Sequence, residues 1–87
     1  MNRDDFVCCI KGGNMVGRVK RVSTKHSLAD IDWGQWTKRM KFQHIKLLRT
    51  NIIDNSVVDF AFVGCKEHGM ALTIDHLESI GFGVDHG

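Results

Sequence analysis

A basic stretch rich in aromatic residues constrains the fold of this chain more than any other segment. It runs from Trp33 to Arg49 (WGQWTKRMKFQHIKLLR) and contains five Lys or Arg residues and no acidic residue. Seven large apolar side chains are interspersed among these charges. A segment with this composition buries its apolar side chains in a core and exposes its charged ones. We therefore expect one side of the stretch to form a wall of the core and the other to face solvent or a partner.

A helix from about residue 28 to residue 49 accounts for this pattern. Ser27 and Asp30 form the Ser-x-x-acid pattern that begins helices. At about 100° per residue, the two tryptophans share one side of such a helix. A second interpretation ends the helix near Met40 and places a strand over residues 42–53, and the sequence leaves both open. On the helix, the side opposite the tryptophans would carry Lys38, Arg39, Phe42, Lys46 and Arg49.

The N-terminal segment has the pattern of a β-hairpin. Phe6 to Ile10 is a short apolar run, and the turn sequence Gly12-Gly13-Asn14 follows it. The second run, from Met15 to Val22, mixes apolar and basic side chains. Within it, Gly17 predicts a bulge or a close approach of the backbone to another element. The exposed side of this strand would present the basic residues Arg18, Lys20 and Arg21.

Two further elements are predicted in the C-terminal half. Residues 57–65 (VVDFAFVGC) are β-branched, aromatic or small apart from one Asp, which is typical of a buried central strand. From Met70 to Ile80 the apolar residues recur at helical spacing, and Gly81 is placed to end the helix. Residues 82–87 then form a short C-terminal tail.

Together these elements predict a small α+β domain spanning residues 1–87. Its sheet would be a single antiparallel layer made of the N-terminal hairpin and the strand at residues 57–65. The two helices, at about residues 28–49 and 70–80, would pack against that layer. A chain of this length buries a little over ~60% of its unfolded surface, so we expect modest stability.

The composition indicates an ordinary globular protein of the cytoplasm. Hydrophobic residues make up 43% of the chain and charged residues 25%, and no apolar run approaches the roughly 20 residues that span a bilayer. The N-terminus carries Asp4 and Asp5 where a secretory signal needs positive charge. The three cysteines are an odd number and are poorly spaced for a disulfide framework, so we expect reduced thiols.

Charge is distributed unevenly along the chain, although the net charge is only +2. Residues 11–49 contain ten Lys or Arg and two acidic residues, whereas residues 50–87 contain one Lys and six acidic residues. A basic segment can neutralise phosphates, and an aromatic residue within it can stack on an unpaired base. This pattern predicts a non-catalytic module that contacts DNA or RNA through residues 18–49, directed at phosphates with weak sequence selectivity. The predicted contact residues are Arg18, Lys20, Arg21, Lys38, Arg39, Phe42, Lys46 and Arg49.

The second predicted function is a protein-interaction module or inhibitor, of the kind that phages and mobile elements encode as accessory proteins. Such a module would bind a partner protein through an exposed strand edge or through a patch formed by Trp33 and Trp36. Core packing is the simpler role for at least one of the two tryptophans. The identity of the partner and the oligomeric state, including a homodimer, stay open at this level.

The chain contains no recognisable pattern for catalysis or for a cofactor. Cys65 and His68 have a spacing seen in metal sites. Cys8 or Cys9 would complete a zinc site if the first strand lay beside Cys65. However, zinc sites usually bring two spaced pairs, and adjacent cysteines on a strand point to opposite faces. We therefore predict no metal, no cofactor and no enzymatic activity.

Overall fold

Antiparallel strands form most of the N-terminal half of the protein, and two helices follow them. The computed structural model describes residues 1–11, 13–50 and 56–85. The main sheet has five strands in the order β4-β3-β2-β1-β5, all antiparallel. This confirms the predicted α+β class. The elements are β1 (Phe6–Cys9), β2 (Val16–Ser23), β3 (Leu28–Asp32), β4 (Thr37–Lys41), a 3-10 turn (Phe42–His44), β5 (Ile45–Leu47), β6 (Arg49–Thr50), α1 (Ser56–Glu67), α2 (Ile74–Ser79) and β7 (Val84–Asp85).

The predicted N-terminal hairpin is confirmed, although Gly12 of its turn lies outside the described residues. β1 pairs with β2, with Phe6 opposite Arg18. The close approach predicted at Gly17 is also confirmed, because a Cβ there would lie 2.5 Å from Ile31 Cγ2 and 2.7 Å from Trp33 Cε3. The missing side chain therefore makes room for two core residues.

The helix predicted over residues 28–49 is wrong, because the segment forms β3, β4, the 3-10 turn and β5. Two turns explain the difference. Ser27, expected to cap a helix, lies in the β2–β3 turn with a φ of 54°. Gly34 has a φ of 100°, which a glycine adopts readily, and the Trp33 N–H donates to the Trp36 carbonyl 2.8 Å away. The strand interpretation of residues 42–53 holds in part at β5 and β6, and residues 51–53 lie outside the described residues.

The strand predicted at residues 57–65 is also wrong, because these residues belong to helix α1. Val58, Phe62 and Cys65 are buried at the i, i+4, i+7 spacing of a helix stripe. Phe60, which a central strand would bury, is 81% exposed. The β-branched composition was misleading because packing of one stripe outweighed the local preference for strand.

The C-terminal helix is confirmed in shorter form as α2. It begins after Thr73, whose hydroxyl accepts a hydrogen bond from the His76 N–H at 3.1 Å. Gly81, with a φ of 98°, follows the helix as predicted. In the segment predicted as a tail, Phe82 is buried and β7 pairs with β6, whereas residues 86–87 lie outside the described residues.

The main sheet is strongly curled. β4 and β5 occupy opposite edges, yet only the three-residue 3-10 turn connects them. Four residue steps span at most about 14 Å, whereas the outer strands of a flat five-stranded sheet lie about 19 Å apart. The sheet must therefore bend so that its two edge strands approach each other.

Each face of the curled sheet buries its own core, so the sheet is not merely a flat layer under two helices. The inner face contributes Val7, Val19, Ala29, Ile31 and Ile45 to one cluster, which Trp33 completes. The outer face supplies side chains that alternate with these along the strands, and the two helices pack on them. This second cluster includes Phe6, Cys8, Val16, Val58, Phe62, Cys65, Ile74 and Leu77.

Candidate nucleic-acid interface

A β-bulge in β2 directs two consecutive basic residues to the outer face. The register of β2 against β3 shifts between Val19 and Arg21, which leaves Lys20 as the extra residue. Val19 and Val22 both pack against the inner cluster, although an unbroken strand would point them to opposite faces. Lys20 and Arg21 therefore both lie on the outer side, where they line the same cavity.

That cavity, which we call the basic cleft, is open and has a volume of about 770 Å³. It extends from the N-terminal residues Met1–Arg3 across β2 to Asp30 of β3 and Thr37 of β4. The N-terminal segment is held beside β2 because the Asp4 N–H donates to the Val19 carbonyl at 2.8 Å. This backbone bond brings Arg3 next to the bulge.

Three cations in the basic cleft are not engaged in a close ion pair. Arg3, Lys20 and Arg21 form no ion pair within 4.0 Å among the residues that the structure describes. The acidic residue of the cleft is Asp30, and Arg39 binds it through an Nε–Oδ1 contact of 3.0 Å. The cleft therefore carries a net positive charge suited to an anionic ligand.

The pairing of the strands lines up three of these charges in one row. Arg21 lies opposite Asp30, and Asp30 lies opposite Arg39, so the three side chains share the outer face of β2, β3 and β4. We call this set the Arg21–Asp30–Arg39 row. The central carboxylate binds Arg39, and the strand register places it between Arg21 and Arg39.

The basic residue Arg18 is engaged in holding helix α1. Its Nη1 lies 2.7 Å from Asp59 Oδ1, its Nε lies 3.5 Å from Asp4 Oδ1, and its guanidinium lies 5.5 Å from the centre of the Phe6 ring. With two acidic neighbours and an aromatic contact, Arg18 has little charge left to offer a phosphate. Its position favours a structural role.

Asp32 and Lys66 form a second link between the sheet and α1. Lys66 Nζ donates to Asp32 Oδ2 at 2.6 Å, and the Gly34 N–H donates to Asp32 Oδ1 at 2.8 Å. Burial of this carboxyl would by itself raise its pKa. The hydrogen bonds from Lys66 and Gly34 and the charge of Lys66 have a larger effect in the opposite direction, so the pKa of Asp32 lies below its ordinary value. The link fixes the edge of the outer face beside the basic cleft.

The remaining predicted contact residues are dispersed. Lys38 lies opposite Ile31, which puts it on the inner face at the β4 edge. Lys46 lies opposite Cys8, on the outer face at the β5 edge, and Arg49 is in β6. Phe42 is half-buried in the 3-10 turn and packs against the inner cluster. Of the predicted set, Lys20 and Arg21 line the basic cleft, and Arg39 joins them through its contact with Asp30.

Arg3 was missed by the sequence analysis, although the predicted hairpin contained a signal for it. In an antiparallel pair, residues before β1 run beside residues late in β2. With Phe6 opposite Arg18, continuing the pairing backwards brings Arg3 close to Lys20 and Arg21. Arg3 is far from Lys20 and Arg21 in the sequence, but the register of the hairpin places it beside them.

The two tryptophans have different environments. Trp33 is 3% exposed and belongs to the inner cluster, which agrees with the predicted core role of at least one tryptophan. Trp36 is 51% exposed at the start of β4. β4 itself is an edge strand, exposed along its length except at the half-buried Met40. Helix α1 also exposes Val57, Phe60 and Val63.

The cysteines and His68 lie where packing accounts for them. Cys8 and Cys65 are buried in the outer cluster, and burial raises the pKa of the Cys8 thiol. Cys9 turns to the opposite face, and His68 Nδ1 lies 2.9 Å from the Gly64 carbonyl oxygen. Within the described ranges, no three His, Cys, Asp or Glu side chains are grouped so that they could hold a metal ion.

Comparison with protein-family models, curated proteins and solved structures found no match for this chain. Among the described residues, neither helix combines the length and apolar character needed to cross a membrane. The geometry and charge of the cleft are therefore the basis for assigning a function to this chain.

Proposed function

We propose that this protein is a non-catalytic module that binds the phosphate backbone of nucleic acid in the basic cleft. One observation supports the proposal: three cations that form no ion pair within 4.0 Å among the described residues, Arg3, Lys20 and Arg21, line one open cleft. Fixed positive charge of this kind attracts phosphates and releases their counterions. These side chains would contact the phosphate backbone, and no helix or strand would enter a groove of the nucleic acid to contact base edges. The binding is therefore weakly selective for sequence. A cytoplasmic location belongs to the same proposal.

The test compares two triple variants with the same change in net charge. The cleft variant is Arg3→Gln/Lys20→Gln/Arg21→Gln, and the control is Lys11→Gln/Lys38→Gln/Arg49→Gln, whose three positions are exposed outside the cleft. Affinity for single- and double-stranded DNA and RNA is measured by fluorescence anisotropy at several salt concentrations, after melting curves have shown both variants to be folded.

The cleft variant should lose at least about tenfold in affinity at low salt, and the slope of log affinity against log salt should fall by about two to three units. The control should keep most of the slope. If the parent protein binds none of the four nucleic acids at low salt, the proposal is wrong. Equal losses in both variants would show that total charge, and not the cleft, governs binding.

A second candidate function is recognition of a partner protein. The observation that favours it is the exposed β4 edge beside the half-exposed Trp36, because a free edge can pair with an added strand and tryptophan is enriched in binding hot spots. The basic side chains on this edge oppose non-specific pairing. Binding of such a partner would change little with salt and would survive the cleft variant, which separates it from phosphate binding.

A further inference from the structure

A smaller cavity lies on the other side of the Arg21–Asp30–Arg39 row from the basic cleft. Its volume is about 160 Å³, and Arg21 and Asp30 line both cavities. The next row of outer-face residues begins with Ser23, which lies opposite Leu28. His26, from the β2–β3 turn, also lines the cavity, together with the apolar residues Leu28 and Ala29 of β3. We call this cavity the side pocket.

Four of the five polar residues that line the side pocket can donate hydrogen bonds, and the fifth is the Asp30 carboxylate. Arg21 and Arg39 supply guanidinium groups, His26 an imidazole and Ser23 a hydroxyl. Asp30 accepts the Nε–H of Arg39, and within the described part of the chain the terminal nitrogens of Arg39 remain able to donate. Guanidinium groups match the spacing of phosphate oxygens. One carboxylate against two guanidinium groups leaves the pocket positive.

The size of the side pocket limits the ligand. Pockets for drug-sized molecules usually have about 300–1,000 Å³, so about 160 Å³ suits a single small anionic group. A phosphomonoester carries about −1.5 to −2 charges and three terminal oxygens at neutral pH. A phosphodiester within a chain has only one negative charge, so a positive pocket attracts a terminal phosphomonoester more strongly.

We propose that the side pocket binds the terminal phosphomonoester of a nucleic-acid strand whose backbone lies in the basic cleft. This inference rests on the proposed function. Arg21 connects the two sites because it lines both, so the end phosphate and the adjoining backbone would be held by neighbouring groups. Asp30 positions Arg39 for this contact, and His26 closes the pocket over the phosphate.

The test uses one single-stranded oligonucleotide sequence in three forms: with a 5′ phosphate, with a 3′ phosphate, and with hydroxyl groups at both ends. The parent should bind one phosphorylated form about tenfold more tightly than the hydroxyl form, as one added charge-assisted contact implies. The variant Ser23→Ala/His26→Gln should remove this preference and leave binding of the hydroxyl form unchanged. The matched control, Arg3→Gln/Lys20→Gln, should weaken all three forms and keep the preference.

Each outcome separates the two proposals. Equal binding of all three forms overturns the end-phosphate site and leaves the basic cleft standing, whereas no binding of any form overturns the proposed function itself. Inorganic phosphate, titrated alone, distinguishes the source of the ligand. Binding of inorganic phosphate that depends on His26, without any preference for a phosphorylated end, would assign the pocket to a free anion and refute the end-phosphate proposal. If the double variant fails to fold, His26→Gln alone in the exposed turn provides the same comparison.

Discussion

Two phenylalanines of helix α1, Phe60 and Phe62, should respond in opposite ways to substitution by alanine. Phe62 is 3% exposed and packs on Phe6 with ring centroids 5.8 Å apart and an interplanar angle of 65°. Phe60 is 81% exposed. In a strand the two side chains would share a face, whereas in a helix they point about 200° apart. The pair therefore tests the helix directly.

Phe62→Ala should lower the free energy of unfolding by about 3–5 kcal/mol, because it removes a buried ring and leaves a cavity. The lost edge-to-face contact with Phe6 is part of this value. Proteins of this size have only about 4–13 kcal/mol of stability, so this variant should be partly unfolded in mild denaturant. Phe60→Ala should change the unfolding free energy by no more than about 0.5 kcal/mol, because little area is lost and Ala has the higher helix propensity.

Urea unfolding followed by far-ultraviolet circular dichroism measures both values. The midpoint should fall steeply for Phe62→Ala and stay near the parent for Phe60→Ala, with similar slopes in denaturant. Losses above about 2 kcal/mol at both positions would refute the helix and support a buried strand. A small loss at Phe62 would show that the outer cluster does not depend on α1.

Three further predictions concern other parts of the fold. The pKa of Asp32 is lowered in the folded state, so the stability that its carboxylate contributes should be present above the unfolded-state pKa and lost as pH falls through the folded-state pKa. Unfolding curves at pH 2–6 should therefore show a smaller loss of stability in acid for Asp32→Asn than for the parent. Gly17→Ala should destabilise the protein by about 1–3 kcal/mol, since the new Cβ would meet Ile31 and Trp33, whereas Gly64→Ala, where nothing lies within 4 Å, should be neutral or stabilising. Acrylamide should quench the fluorescence of Trp36 strongly and that of Trp33 weakly, and the single-tryptophan variants Trp33→Phe and Trp36→Phe would measure each residue alone. Equal quenching of both would contradict the burial of Trp33.

The sequence predicted the elements whose signals are local and missed those set by tertiary packing. The N-terminal hairpin, the close approach at Gly17 and the stop at Gly81 each depend on a few neighbouring residues. The secondary structure of residues 57–65 is determined instead by which side chains pack in the core. Its β-branched residues suit a strand, yet only every third or fourth side chain has a core to pack against.

In residues 28–33, a signal for strand was present but weaker than the helical pattern beyond it. Ala29, Ile31 and Trp33 alternate with polar residues at a period of two, and all three are buried. The Ser27–Asp30 pattern and the spacing of the tryptophans favour a helix, which Gly34 interrupts. Its positive φ in a tight turn is what divides the segment into two strands.

The location of the charged side chains depends on whether this segment is a helix or a pair of strands. On a helix, Lys38 and Arg39 would share a broad face, but on β4 they point to opposite sides of the sheet. A basic stretch therefore becomes a basic surface only where the backbone geometry brings its side chains to one side. In this protein the bulge at Lys20 does so, because the extra residue places Lys20 and Arg21 on the same face. In an unbroken strand, residues 20 and 21 would point to opposite faces, so the charge of the cleft depends on backbone geometry as much as on the number of basic residues.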